Sequence, residues 1–226
     1  MLRIGASVGK GASNAKSDVT AVQAALREAG FYTGLSDGVY SAALEDAIIA
    51  FQAIFVAKPD GRIDVNGNSH KFLDRWQKKQ VKGAVLLPGN LLRGWTLLNP
   101  ILPAGAYCTS GYRSTDDQRR ILNGFYTGKY RAQIIKTYGE KDFDAVLAMA
   151  EGAEKDRKMT EMVRSTGQKI AVPGTSPHER GKAFDIGGPQ DAEQARTARM
   201  VAKANPDLFN GRVLVETNGC VHVEVK

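Results

Sequence analysis

The sequence predicts an α+β protein: a small all-helical domain over residues 1–77, a linker over 78–90, and an α+β domain over 91–226 built on a small, largely antiparallel sheet. Three observations carry that expectation. Apolar residues recur at helical spacing from Val19 to Phe55, punctuated by two Asp-Gly turns. From Leu91 onward, helical patterns alternate with short strand patterns. The chain then closes on Cys220-Val-His-Val-Glu-Val225, an alternation of period two.

Taken in order, Asp18 is placed to cap a first helix whose apolar face holds Val19, Val22, Leu26 and Ala29 and which stops at Gly30. Ser41 is placed to cap a second, with Leu44, Ala47, Ile48, Phe51 and Phe55 on its face. A shorter third helix fits 69–76. The turns at 36–40 and 59–63 both carry Asp-Gly, where glycine accepts positive φ, and the two turn-plus-helix units form a weak internal repeat. Beyond the linker we expect a helix over 91–98, a strand over 106–110 and a helix over 115–123. A helical stretch over 142–164 follows, with Gly152 its weak point. A strand over 184–186, a helix from Asp191 that ends before Pro206, and a β-hairpin over 212–225 complete the chain.

Composition narrows the function classes. At 226 residues the chain suits one or two domains and buries a sizeable core. No run of 18 apolar residues occurs, so no membrane insertion is expected. The first ten residues have no long apolar stretch behind their charge and do not read as a signal peptide, so delivery outside the cytoplasm would need other machinery. The net charge of +7 is spread along the chain, which disfavours a nucleic-acid arm and favours approach to an anionic polymer. A monomer is expected. Cys108 and Cys220 are too far apart for a Cys-x-x-Cys motif and read as buried free thiols, with a disulfide in an oxidising compartment as the alternative.

The chemistry-bearing residues concentrate late in the chain. Ser176-Pro-His-Glu-Arg-Gly-Lys-Ala-Phe-Asp185 has the pattern S-x-H-x-x-G-x-A-x-D, and only three histidines exist: His70, His178 and His222. Two imidazoles and one carboxylate, from His178, Asp185 and His222, would leave a zinc ion one open position, the composition of a catalytic rather than a structural site. His70, at the expected start of the third helix, reads as structural.

The segment Ser176–Asp185, together with Ser110-Gly-Tyr-Arg-Ser114, Gln118 and Val221-His-Val-Glu224, resembles the VanY-like zinc peptidases, which include D-Ala-D-Ala carboxypeptidases and the L-alanyl-D-glutamate endopeptidases of phage lysins. The resemblance covers roughly residues 91–226. It implies Zn2+ held by His178, Asp185 and His222, and Arg113 serving the substrate or its developing charge. Tyr112, Gln118 and Ser176 would contact substrate or support those that do, although Ser176 equally suits a residue that shapes the turn. The first domain is similar to the three-helix peptidoglycan-binding domain, through 18–26, Gly30-Phe-Tyr32, Asp37-Gly-Val-Tyr40, Ala47 to Gln52 and Pro59-Asp-Gly61; it departs at Ser41, where glycine is common, and at His70, where threonine is usual.

One feature of the family pattern is missing. Many relatives carry Glu or Asp three residues before the last histidine; here that position is Gly219, and the nearest upstream carboxylate is Glu216. A two-residue turn at Asn218-Gly219 would point Glu216 away from His222. A three-residue loop over 217–219, with Gly219 left-handed, would pair Glu216 with Cys220 and put it on the face of His222. The second geometry is preferred, making Glu216 the first candidate for the general base, ahead of Glu224 and Glu179.

The expected function is zinc-dependent hydrolysis of stem-peptide amides at the bacterial wall or periplasm, after release or delivery. An L-Ala-D-Glu endopeptidase of endolysin type comes first, with a DD- or LD-carboxypeptidase or a delivered antibacterial effector as alternatives. From a different class, a non-catalytic wall-binding module with a vestigial metal site draws its support from Gly219.

Overall fold

The computed structural model describes residues 1–77, 79–83 and 85–226; Lys78 and Ala84, two positions of the expected linker, lie outside the described residues. The chain divides into two compact units, one of Met1–Ser110 with Phe184–Lys226, the other of Gly111–Ala183. Its class is α+β, as the periodicities predict.

The first unit opens with α1 (Lys16–Glu28), α2 (Ala42–Gln52) and α3 (Asn68–Asp74), and with the short strands β1 (Val8–Gly9) and β2 (Arg62–Ile63), which pair antiparallel. The apolar stripes become core: Val19, Val22, Leu26, Leu44, Ile48, Phe51 and Phe72 are fully buried. Gly30 stops α1 with φ +84°, and the next amide, Phe31 N–H, returns to the Leu26 carbonyl at 2.8 Å. Ser41 caps α2, its hydroxyl accepting from Leu44 N–H at 3.3 Å. Asp18 departs from expectation. It lies inside the first turn of α1, and its carboxylate accepts from Gly5 N–H (3.0 Å) and Ala6 N–H (2.8 Å), tying the N-terminal segment down instead of capping the helix.

The two Asp-Gly turns are built alike, which gives the internal repeat a physical basis. Gln23 of α1 donates to Asp37 Oδ1 (2.9 Å) and the Val39 carbonyl (3.1 Å), and accepts from Gly38 N–H (2.9 Å). Gln52 of α2 donates to Asp60 Oδ1 (2.7 Å) and the Arg62 carbonyl (2.8 Å), and accepts from Gly61 N–H (2.9 Å). Each glutamine is buried and satisfied by the turn it closes, and Gly38 and Gly61 take positive φ there. His70 is structural: Nδ1 accepts from Asn66 N–H, and Nε2 meets the Leu2 carbonyl, both at 2.9 Å.

Within the expected linker, the Gln80 carbonyl accepts from Cys108 N–H (3.1 Å) and Lys82 N–H donates to the Cys108 carbonyl (3.0 Å), so this stretch pairs with the strand that carries Cys108. The unit continues through α4 (Asn90–Leu98) and β3 (Tyr107–Ser110), and is completed beyond residue 183. A four-stranded sheet has the order β3-β4-β6-β5, with β4 (Ala183–Gly187), β5 (Phe209–Val215) and β6 (Val221–Val225). β3 pairs antiparallel with β4, and β5 with β6. The helix α9 (Asp191–Ala204) lies between β4 and β5 in sequence. The hairpin begins earlier than 212, because an irregularity between Phe209 and Val213, with Gly211 at φ +87°, lets β5 extend back to Phe209.

The second unit is helical: α5 (Thr115–Asn123), a π-helical segment (Gly124–Lys129), α6 (Arg131–Tyr138), α7 (Glu140–Leu147) and α8 (Ala153–Arg164). Ser114 and Asp117 form a reciprocal capping box at the start of α5. The helix expected over 142–164 is two helices, broken in the stretch that holds Gly152. This unit has its own core of Leu122, Tyr126, Ile134, Phe143, Met159 and Val163, in which Tyr126 stacks on Phe143 at 4.5 Å. Among the described residues no helix is long and apolar enough to cross a membrane.

Candidate metal centre

Strand alternation and one turn set the donors. Asp185 is in β4, a strand buried along its whole length, opposite Ser110 of β3; His222 is in β6, opposite Leu214 of β5. His178 lies in the turn that precedes β4. All three are buried, and one ligand atom from each lies within 4.8 Å of the others. This is the group expected from the sequence, and it contains no cysteine.

Each imidazole has a defined partner. His178 Nδ1 meets the Gly111 carbonyl at 2.8 Å. A carbonyl only accepts, so Nδ1 carries the proton and the lone pair is on Nε2. His222 Nδ1 meets Asp185 Oδ1 at 3.0 Å, and Nε2 meets Glu224 Oε1 at 3.3 Å. Burial pushes the His222 imidazole down, but Asp185, with Glu216 and Glu224 adding to it, outweighs burial and holds it above its ordinary value. Two imidazoles and a carboxylate, gathered out of water, form a donor set that fits a divalent metal ion.

The loop that presents His178 is held by Glu179. Its Oε1 accepts from Gly174 N–H (2.7 Å) and its Oε2 from Ser176 N–H (2.9 Å). The Ser176 hydroxyl accepts from His178 N–H at 3.3 Å, a bond within the turn that carries His178. Glu179, the third candidate for the base, thus clamps the loop. The signal was present in the Ser-x-x-Glu spacing of Ser176 and Glu179, which sends a carboxylate back to the serine amide.

Arg113 is tied to the same loop: its N–H donates to the His178 carbonyl at 3.4 Å. Its Nη1 donates to Gln118 Oε1 at 3.2 Å, and Gln118, buried in α5, donates in turn to the Ala171 carbonyl at 3.1 Å. Gln118 therefore orients Arg113. Tyr112, next in the chain, is exposed. Glu216 is at the end of the hairpin, where its N–H donates to the Cys220 carbonyl at 2.8 Å and Gly219 adopts φ +79°. That is the three-residue loop, with Glu216 on the His222 face of the strand pair. Glu224 is engaged differently: Asn210 Nδ2 donates to its Oε2 at 2.6 Å, and Arg212 Nε lies 3.4 Å from its Oε1. Neither cysteine is in a disulfide. Burial pushes the Cys108 thiol up to about 12, and the Cys220 thiol is raised by burial too.

Two family models match parts of the chain. Residues 15–66 match a putative peptidoglycan binding domain, and residues 104–208 match the VanY family of D-alanyl-D-alanine carboxypeptidases. The chain thus carries the fusion that its motifs suggest. The second match takes in Arg113, Gln118, His178 and Asp185, and ends before Glu216 and His222. No curated protein and no solved structure matches. Together the two domains support a peptidoglycan-acting hydrolase.

Proposed function

We propose that this fusion of a peptidoglycan-binding domain with a VanY-family domain is a zinc-dependent hydrolase of stem-peptide amide bonds, with domains over 1–77 and 91–226 joined by 78–90. The observation that carries the reading is the convergence of ligand atoms from His178, Asp185 and His222 within 4.8 Å. A His2Asp set is a catalytic rather than a structural zinc composition, because it leaves a position open. Zinc held there supplies a Lewis acid for the scissile carbonyl and a water acidic enough to attack near neutral pH.

The remaining chemistry falls to residues of the chain. Glu216, on the His222 face of the hairpin, takes the proton of the attacking water and returns it to the departing amine. Arg113 offers fixed positive charge to the carbonyl oxygen as it becomes an oxyanion, where preorganised donors are worth most. Gln118 sets the guanidinium, Ser176 and Glu179 set the loop of His178, and Tyr112 meets the substrate. The N-terminal domain keeps the enzyme on an insoluble polymer and raises its effective concentration there. The site of action is the bacterial wall, reached after release or delivery.

For the bond cut, an L-Ala-D-Glu endopeptidase comes first, on the pairing of a wall-binding domain with a cutting domain. A DD-carboxypeptidase is the second reading, favoured by the family that residues 104–208 match. Mass spectrometry of soluble products from purified peptidoglycan separates them, with zinc-loaded protein run beside His178→Ala. Peptides that begin with D-Glu support the endopeptidase; free D-Ala supports the carboxypeptidase. No product from the parent, with wall binding intact, overturns hydrolysis and leaves a binding module.

A further inference from the structure

We infer that Glu224 is a positioning residue of the metal centre: its carboxylate accepts the Nε2 proton of His222 and so commits Nδ1 to the metal. The inference rests on the metal reading above and goes beyond it, assigning a task to a residue outside the ligand set.

The geometry is local to one hairpin. Glu224 and His222 are two apart on β6, so their side chains share a face. Glu224 Oε1 is 3.3 Å from His222 Nε2, while Nδ1 is 3.0 Å from Asp185 Oδ1, another member of the donor group. The ring is therefore turned with Nδ1 toward the ligands and Nε2 toward Glu224. A neutral imidazole has one N–H and one lone pair, and carboxylate oxygens stand beside both nitrogens; with Asp185 itself a metal ligand, Glu224 is the acceptor left to hold the proton. A carboxylate at Nε2 holds the proton there and leaves the lone pair on Nδ1.

Glu224 is itself held. Asn210 Nδ2 donates to Oε2 at 2.6 Å, and Asn210 Oδ1 of the same side chain accepts from Arg212 N–H at 2.8 Å. Arg212 Nε lies 3.4 Å from Oε1. With both oxygens engaged along the hairpin, Glu224 serves as an anchor for the ring and not as a mobile proton carrier. His178 is set in the opposite sense, the Gly111 carbonyl at Nδ1 leaving Nε2 for the metal. The two histidines thus present different nitrogens.

The test is cobalt binding by the metal-stripped full chain, followed by visible absorption and by competition with zinc, for the parent, Glu224→Ala and Glu224→Gln. Glu224→Ala is expected to bind about 10–100-fold more weakly, with displaced cobalt bands. Glu224→Gln, whose side-chain oxygen still accepts from Nε2, is expected to recover most of the affinity and the parental spectrum. Parental affinity and spectrum in Glu224→Ala would overturn the inference. So would equal losses in both variants, which signal damage to the hairpin alone. A second readout needs no variant: long-range nitrogen-15 correlation spectra of the zinc-loaded parent should show His222 protonated at Nε2, and the reverse overturns the inference while leaving the metal reading intact. A parent that binds neither cobalt nor zinc overturns the metal reading, and this inference with it.

Discussion

The amide of Glu216 donates to the carbonyl of Cys220 at 2.8 Å, and this one bond fixes the register of the closing hairpin. Leu214 stands opposite His222, so Glu216, two residues on, shares the face of His222. A two-residue turn would have reversed it. We therefore expect Glu216→Gln to keep its zinc and lose about 10²–10⁴-fold in kcat, the range for a missing general base. Zinc content and turnover measured on the same sample decide it; parental turnover would remove Glu216 from the mechanism.

Glu179 should behave in the opposite way. Both of its oxygens are held by backbone amides of the loop before His178, at 2.7 and 2.9 Å. Glu179→Ala leaves those amides without their carboxylate, a change expected to lower stability by about 1–3 kcal/mol. The shape of the pH–rate profile should stay as it is. A profile that lost its acidic limb in Glu179→Ala, with that limb retained in Glu216→Gln, would exchange the two assignments.

How much of this was legible in the sequence follows the range of each interaction. Helix faces and the Gly30 and Ser41 boundaries depend on neighbours a turn or so away, and periodicity shows them. Asp18 failed as a cap because Gly5 and Ala6, brought back by the fold of the N-terminal segment, compete for its carboxylate. The donor set was legible only because His178 and Asp185 occupy a specific ten-residue pattern. His222 entered the set as one of only three histidines, in a strand pattern, and the resemblance supported it, since no local rule relates it to residues so far upstream. The partners that orient these donors were illegible for another reason: the Gly111 carbonyl is a backbone atom with no residue signature. Asn210, which fixes Glu224, reaches it across a hairpin irregularity that spacing does not announce.

Gln118 offers a test of how Arg113 is held. Its side chain accepts from Arg113 Nη1 at 3.2 Å and donates to the Ala171 carbonyl at 3.1 Å, within a buried setting. Arg113→Ala should lower kcat/KM about 10²–10³-fold, as loss of an oxyanion donor does. Gln118→Ala should cost about tenfold, the rate equivalent of one hydrogen bond to a charged group. Because the two act as one unit, the double variant should be no worse than Arg113→Ala. Multiplying effects would show that Gln118 acts on its own.

Gln52 gives a handle on wall binding apart from hydrolysis. It holds the second Asp-Gly turn by bonds to Asp60, Gly61 and Arg62, and it is buried. Gln52→Ala leaves those groups unmatched, at a cost of about 2–3 kcal/mol. We expect weaker sedimentation with insoluble peptidoglycan and a Tm lower by roughly 4–12 °C. Turnover of a soluble stem peptide, measured below that Tm, should be unchanged. Equal losses on soluble and insoluble substrates would show that the turn supports the active site as well.

Glu193 of α9 supplies a pH dependence of stability that does not involve the metal centre. Its Oε1 accepts from Arg75 Nη1 (2.9 Å) and Arg196 Nη2 (2.8 Å), and its Oε2 from Arg196 Nε (2.8 Å). Arg196 foremost, with Arg75 adding to it against some burial, holds the carboxyl down from its ordinary 4.5 to about 2. A carboxylate depressed on folding contributes stability that is fully present above its unfolded value and is lost as pH falls through the folded one. The contribution should therefore hold from neutral pH to about 4.5 and fade between there and about 2. Glu193→Gln is expected to lower stability at pH 7 by about 1–2 kcal/mol, at the modest end because the ion pair is partly solvated. Parent and variant should converge in urea denaturation as the pH is taken from 5 toward 3. A gap that stayed constant across that window would mean that Glu193 acts through packing and not through its charge.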